Sequence, residues 1–358
     1  MAKVSFNNKG QAFFSSLKKS VDQYFSDNKI KKTGNWRLYL KTAIILPLSI
    51  GIYIFLLLGS FSALLGIALT FILGLALVAI AFNTMHDACH GSFSSKKWVN
   101  EVFSYSMNFL GSNAYMWKIK HNVIHHTYTN IDGIDDDISK SPVLRLCPSQ
   151  KWVPAHKYQF VYMFFLYSLS TILWAWVTDF ITYVSRKMVV TDMKMPVKEH
   201  IIFWLSKLFY FVFYAALPIM FVGWLPWLIG YLILNVTMGL TLSMVFQLAH
   251  IVEKTDFEEA GEKPKQIDTE WAIHELRTTA NFAPGNKVVT WFAGGLNYQV
   301  EHHLFPRISH VHYKNLSKIV KDHCNQFGIP YHSYPKMRQA VLSHIKVMKQ
   351  LGKKEVAA

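Results

Sequence analysis

The sequence predicts an all-α integral membrane protein: four transmembrane helices, paired as two hairpins, under a cytoplasmic helical cap that gathers a histidine-bound two-metal site. Three observations carry this. The chain of 358 residues is 51% hydrophobic, with a mean hydropathy of +0.18. Its apolar residues fall in runs long enough to cross about 30 Å of hydrocarbon at ~1.5 Å per residue. Histidines recur in three clusters beyond such runs: His86-Asp87-Ala88-Cys89-His90, His121-Asn122-Val123-Ile124-His125-His126 and Gln299-Val300-Glu301-His302-His303.

Residues 1–35 are polar and basic, with Lys18-Lys19, Lys29 and Lys31-Lys32. They read either as a partly helical arm on the membrane surface or as a solvated tail. Spans are expected at about 38–58 and 63–83, separated by the turn Gly59-Ser60-Phe61-Ser62. The arm is rich in lysine and the turn has no Lys or Arg, so the N-terminus is cytoplasmic and the turn outside. The second span then delivers His86 and His90 to the cytoplasmic side. Residues 91–157 hold no run long enough to span, and Val99–Leu110 reads as an interfacial or buried helix. The acidic stretch 129–137 is either a turn of Asn, Asp and Gly residues or a carboxylate buttress behind the histidines. It is not an EF-hand, because its alternation and closing Glu are wrong.

A second hairpin is expected at about 201–222 and 225–248, around the uncharged Gly223-Trp224. It ends on His250, placed as His86 is at the end of the first hairpin. An ionisable residue at a span end needs a reason, so His250 is a candidate ligand. The run at about 158–183 is also apolar. If it crossed, His250 would emerge on the wrong face. It carries Asp179 and many aromatics, so it reads as an interfacial helix. Residues 251–358 are polar and basic, and Gly294-Gly295 implies a tight backbone approach.

A single histidine is usually a surface or satisfied core residue. Paired histidines at ligand spacing, three times over, are hard to obtain by composition. Positions i and i+4 share a helix face, so His86 pairs with His90 and His121 with His125, and His126 widens the second cluster. Seven histidines exceed what one ion needs. Imidazole suits iron, copper and zinc, and apart from the lone Cys89 no cluster holds a thiol. Cys89, Cys147 and Cys324 form no CxxC and no zinc-finger spacing, as befits a reduced, cytoplasmic-facing chain. The first apolar run starts too late for a cleavable signal peptide. The net charge of +15 comes with no nucleic-acid module, so no nucleic-acid partner is expected. It suits anionic lipid, an acidic redox partner or a phosphate-bearing substrate.

The set His86-Asp87-x-x-His90, His121-x-x-x-His125-His126 and Gln299-x-x-His302-His303 resembles the three histidine boxes of the membrane fatty acid desaturases. Gly294-Gly295-Leu296-Asn297-Tyr298-Gln299-Val300-Glu301-His302-His303-Leu304-Phe305-Pro306 is similar to the front-end branch (delta-5 and delta-6 types), in which Gln replaces the first His of the last box. The likeness covers about residues 40–320. It implies a desaturase domain over 36–322 between a basic arm and a C-terminal tail of 323–358, with both termini and the active site cytoplasmic.

It also implies a centre of two iron ions that uses O2 as co-substrate to insert a cis double bond into a fatty acyl chain, carried as acyl-CoA or acyl-lipid. The ligands implied are His86, His90, His121, His125, His126, His302 and His303. His250 matches the extra histidine after the fourth span, and Gln299 is either a direct ligand or a hydrogen-bond donor behind one. Asp87 is read as lying behind the ligands, and His274, His310 and His312 stay unassigned neighbours. Many front-end members carry a fused cytochrome b5 domain with a His-Pro-Gly-Gly motif. This chain has none, so electrons are expected from a separate ferredoxin, or cytochrome b5 with its reductase. A sphingolipid desaturase or an acyl hydroxylase would use the same ligands. A histidine-lined transporter would place them near mid-membrane, not beyond span ends.

Overall fold

The structure, a computed structural model, describes residues 4–7, 12–139, 142–188, 191–261 and 263–354. Its helices follow the apolar runs. Helix α2 (Trp36–Leu58) is capped by Asn35, whose Oδ1 accepts from the backbone N–H groups of Arg37 and Leu38. Ser62 does the same for α3 (Ala63–Cys89) through Leu65. Gly223, at φ +84°, makes the turn between α6 (Val197–Val222) and α7 (Trp224–His250). The second hairpin packs on the first through α3 and α7. Leu40, Ile44, Leu48, Ile54 and Phe55 of α2 stay exposed, as a lipid-facing helix requires.

Among the described residues, five helices are long and apolar enough to cross a membrane, one more than the sequence reading assigned. The fifth is α5 (Pro154–Ser185), the run read as interfacial. It makes the most intimate helix pairing in the molecule, against α7. A Cβ at Gly239 of α7 would lie 2.6 Å from the Ser168 carbonyl oxygen, so only glycine lets these two backbones meet. Residues 97–109 form two short helices, Lys97–Ser104 and Ser106–Phe109.

The cap lies beyond the histidine-bearing ends of α3 and α7. It holds α4 (114–128), α8 (Trp271–Thr278), α9 (Gln299–Leu304), α10 (Tyr313–Phe327) and α11 (Met337–Leu351). Short parallel β pairings stitch distant segments together: Val4–Phe6 with Lys265–Ile267, Ile131–Asp132 with Glu258–Glu259, and Asn281–Phe282 with Ser333–Tyr334.

The arm and the tail are not appendages. Helix α1 (Ala12–Asp27) buries Phe13, Leu17, Val21 and Phe25, one residue per turn, against Leu276, Leu304 and Leu316 of the cap. That i, i+4 stripe is the physical reason the arm docks on the cap. In the tail, α11 buries His344, Val347 and Met348 beside Met163 and Tyr167 of α5.

Candidate metal centre

Two helices widen into π-helical turns just where they meet the site. In α3 the π turn Ala81–Met85 immediately precedes His86, and in α4 the π segment Ile119–His125 contains His121 and His125. Such turns concentrate at functional sites because they re-aim side chains. Asn122 donates to the Cys89 carbonyl at 2.9 Å, tying the first cluster to the second, and Asn130 donates to the His250 carbonyl at 2.8 Å. The third cluster arrives on α9 after Gly294 and Gly295, at φ +55° and +69°. Gly294 packs directly on the Phe82 carbonyl of α3, where no side chain fits, so the tight approach expected there is present.

All eight candidate histidines are buried and converge. The ligand nitrogens of His86, His90, His121 and His302 form one group, and those of His125, His250 and His303 a second, each within 4.8 Å of one another. His126 stands between them. Its Nε2 is 3.3 Å from that of His121, and its ring centroid is 4.5 Å from those of both His302 and His303. The pair His121 and His125 shares a face, with rings stacked 5.2 Å apart. His121 and His125 also form a third such group with Asp137, so this pair borders both clusters.

Behind the rings, the Nδ1 atoms are held. Asp135 takes His125 at 3.1 and 3.2 Å, Glu275 takes His303 at 2.8 Å, the Thr278 carbonyl takes His250 at 3.2 Å, and the Tyr313 hydroxyl meets His302 at 3.1 Å. The Nε2 atoms of these four, and of His86 and His90, have no protein partner. A buried nitrogen left so costs about 1–3 kcal/mol, and here six lie side by side. Imidazoles with Nδ1–H directed outward and the Nε2 lone pair directed inward are in the metal-binding tautomer. The residues present fit two closely spaced ions with open positions, of the kind imidazole favours.

The electrostatics agree. Burial, with crowding by the other imidazoles, holds His121, His126, His302 and His303 well below the usual imidazole range, so they offer lone pairs. His125 differs. Burial opposes its charge, but Asp135, with Asp137 and Glu275, outweighs that and lifts it to about 9. Burial pushes Glu275 well above the carboxylate range, so without a cation its contact with His303 joins two neutral groups.

The acidic stretch 129–137 is both things the sequence allowed: Asn130 and Gly133 turn the chain at positive φ, while Asp135 and Asp137 face His125. Asp87 points away from the ligands, to Ser309 and His310. His274 and His312 bond the carbonyls of Thr129 and Thr33. Of these, Asp137 groups with His121 and His125, whereas Asp87, His274 and His312 belong to no histidine group among the described residues. Gln299 opens α9, buried, its amide nitrogen without a partner. Glu275, Thr278 and Tyr313 had no local signal, because they carry no motif and reach the site only through tertiary packing.

A cavity of ≈ 450 Å³ runs from the histidines between α3, α5 and α7. His86, His121, His125 and His250 form one wall, and Met107, Leu110, Trp117, Met238, Leu242 and Phe246 make it apolar.

The profile of the fatty acid desaturase family matches residues 61–335. A protein named sn-1 linoleoyl-lipid 6-desaturase from Synechocystis sp. is 34% identical over 361 residues, 98% of this chain and 98% of the relative. Its namesake from Arthrospira platensis is 34% identical over 98% of this chain and 95% of the relative. The acyl-lipid (8-3)-desaturase of Physcomitrium patens is 30% identical over 95% of this chain and 72% of the relative. With the buried histidine clusters and the apolar cavity beside them, these likenesses establish that the chain is an integral membrane enzyme belonging to the fatty acid desaturase family, of the front-end-like kind.

Proposed function

We propose that this desaturase acts on a fatty acyl chain held in the apolar cavity, with two irons bound by His86, His90, His121, His125, His126, His250, His302 and His303. The observation that carries the assignment is the set of six inward Nε2 atoms without protein partners. When bound, a di-iron pair supplies the O2 chemistry that removes hydrogen from an unactivated C–H bond, which no acid–base side chain can do. The chain's own residues do the rest. Asp135, Glu275, Thr278 and Tyr313 fix ring orientation through Nδ1. The apolar wall excludes water and lays two neighbouring methylene groups along the histidine face. Gln299, buried with its amide nitrogen free of protein partners, is assigned to the centre either as a ligand or as a donor to a group bound there. The balance is –CH2–CH2– with O2, two electrons and two protons, giving –CH=CH– and two waters.

The electrons come from a separate donor, a ferredoxin or cytochrome b5 with its reductase. Lys314, Lys318 and Lys321 offer it an exposed basic face on α10, whose Tyr313 reaches His302. The names of the relatives favour an acyl chain esterified in lipid over acyl-CoA.

Four spans, with the site and both termini cytoplasmic, remain the topology we favour. His90 and His250 meet in one centre, so the chain between them crosses an even number of times. Helix α5 is the one to exempt, because both its ends lie on the cap. Gln159 at its start bonds Arg145 and Met348, and Asp179 near its end accepts from Ser112.

The test is expression in a host fed defined fatty acids, with product double bonds mapped by mass spectrometry and His125→Ala run beside the parent. New double bonds in lipid-esterified chains are expected from the parent only. His125→Ala should insert normally but lose iron and all product. Full activity in that variant would sink the ligand assignment.

A further inference from the structure

We propose that a cleft at the start of α2, separate from the acyl cavity, binds the anionic headgroup of a membrane lipid. The cleft measures ≈ 540 Å³ and shares no lining residue with the acyl cavity. Trp36, Arg37 and Lys41 of α2 form one side, and Lys287, Trp291 and Lys314 the other. No Asp or Glu lines it. Among the described residues, Arg37, Lys287 and Lys314 form no ion pair, although all three are exposed and basic. Four basic side chains thus share one concavity with no carboxylate in its lining, which favours an anion there.

Lys41 adds a second, independent observation. It lies inside an apolar span, where a charge needs a purpose. Its ammonium donates to Asn83 Oδ1 at 2.6 Å and to the Trp291 carbonyl at 2.7 Å, and it stands 4.8 Å over the Trp291 ring. An ammonium has three N–H donors, so one remains after these two bonds.

The cleft's shape points to a lipid and not a soluble phosphate. Exposed Leu40 and Ile44 continue the same cleft along α2, in the direction an acyl tail would follow from its headgroup. Exposed Trp36 and Trp291 flank the cations, which is where tryptophan marks the boundary between hydrocarbon and headgroups. The proposal depends on membrane insertion and is independent of which acyl chain the enzyme desaturates.

The experiment uses the full-length protein in mixed phosphatidylglycerol and phosphatidylcholine nanodiscs, followed by native mass spectrometry of the released protein. The parent should retain one phosphatidylglycerol per chain. Arg37→Gln with Lys287→Gln, both exposed and thus tolerated by the fold, should lower that retention roughly 30-fold, at about 1 kcal/mol for each cation removed. Lys41→Met tests the same site from within, with a folding check by thermal unfolding. Lys151→Gln with Lys157→Gln, exposed but away from the cleft, should behave as the parent. Parent-like retention in the Arg37/Lys287 variant would overturn the proposal, as would an equal loss in the Lys151/Lys157 control. Displacement of the lipid by millimolar inorganic phosphate would overturn the lipid assignment in favour of a free-anion site.

Discussion

Replacing Glu275 by Gln separates metal binding from folding. Glu275 is fully buried on α8, and its Oε2 accepts from Thr129 Oγ1 and His303 Nδ1, both at 2.8 Å. Its Oε1 has no partner. Without a cation, burial keeps this carboxyl protonated. Gln then reproduces it, with a carbonyl oxygen at Oε2 and N–H in place of O–H at Oε1. Stability of the iron-free protein should change by no more than about 0.5 kcal/mol. A cation on His303 Nε2 reverses the preference, because its charge draws the proton from the carboxyl. The contact then becomes charge-assisted, about twice as strong as the neutral bond that Gln can offer. Losing it should weaken the metal about 10–100-fold, or ~1.4–2.8 kcal/mol.

The loss should also be selective. His303 belongs to the group with His125 and His250, whereas His302 belongs to the other. Under graded chelator challenge, Glu275→Gln should fall from about two irons per chain to about one before the second is lost. Elemental analysis reads the stoichiometry, and thermal unfolding of the fully chelated protein reads the fold. Parent-like iron retention would refute the role given to Glu275. A large drop in iron-free stability would make it a structural residue.

The remaining expectations follow from the same geometry. Tags after Lys32 and near Gln326 should both report cytoplasmic and one at Ser60 outside; opposite sides for the first two would make α5 a crossing helix. The purified protein should be inactive with substrate, O2 and NAD(P)H alone and recover with ferredoxin, or cytochrome b5 plus reductase. Charge reversal at Lys318 and Lys321 or rising salt, which screens over about 8–10 Å, should slow its reduction. Sustained turnover without a donor protein would contradict that. Tyr210 of α6 packs over Gly111, which lines the acyl cavity, stacks on Tyr214 at 4.6 Å and meets Tyr231 at 3.2 Å. Beyond it lies a second apolar cavity of ≈ 320 Å³ lined by Tyr214 and Tyr231. Tyr210→Ala should join the two and raise conversion of longer chains relative to shorter ones; an unchanged chain-length profile would show that the acyl end lies elsewhere.

Much of this protein is local and therefore legible in one dimension. The apolar runs mark the helices because hydrocarbon demands about 20 apolar residues whatever the rest of the chain does. Seven of the candidate histidines declare themselves by spacing, and His250 by standing at a span end. Parity, with Asp179 and the aromatics, marked α5 as the run to exempt, since residues that share a centre must share a side, and that exemption belongs to the proposed topology. Even Gly294-Gly295 announced a close backbone approach, which Phe82 makes.

What only tertiary structure decided is how these parts are apportioned. Helical spacing placed His121 and His125 together, and they do share a group with Asp137, yet on the π turn His121 also meets His86, His90 and His302 while His125 meets His250 and His303. The extra residue of that turn is a local distortion that packing selects, not the sequence pattern. Glu275, Thr278 and Tyr313 become part of the centre only because α8, α9 and α10 fold over it. A carboxylate or a carbonyl has no sequence signature as a hydrogen-bond acceptor. The arm read equally well as a membrane-surface helix or a solvated tail, because its lysines stand out more than its scattered apolar residues. Phe13, Leu17, Val21 and Phe25, spaced four apart, nonetheless cover one helix face, and burial of that face fastens α1 to the cap.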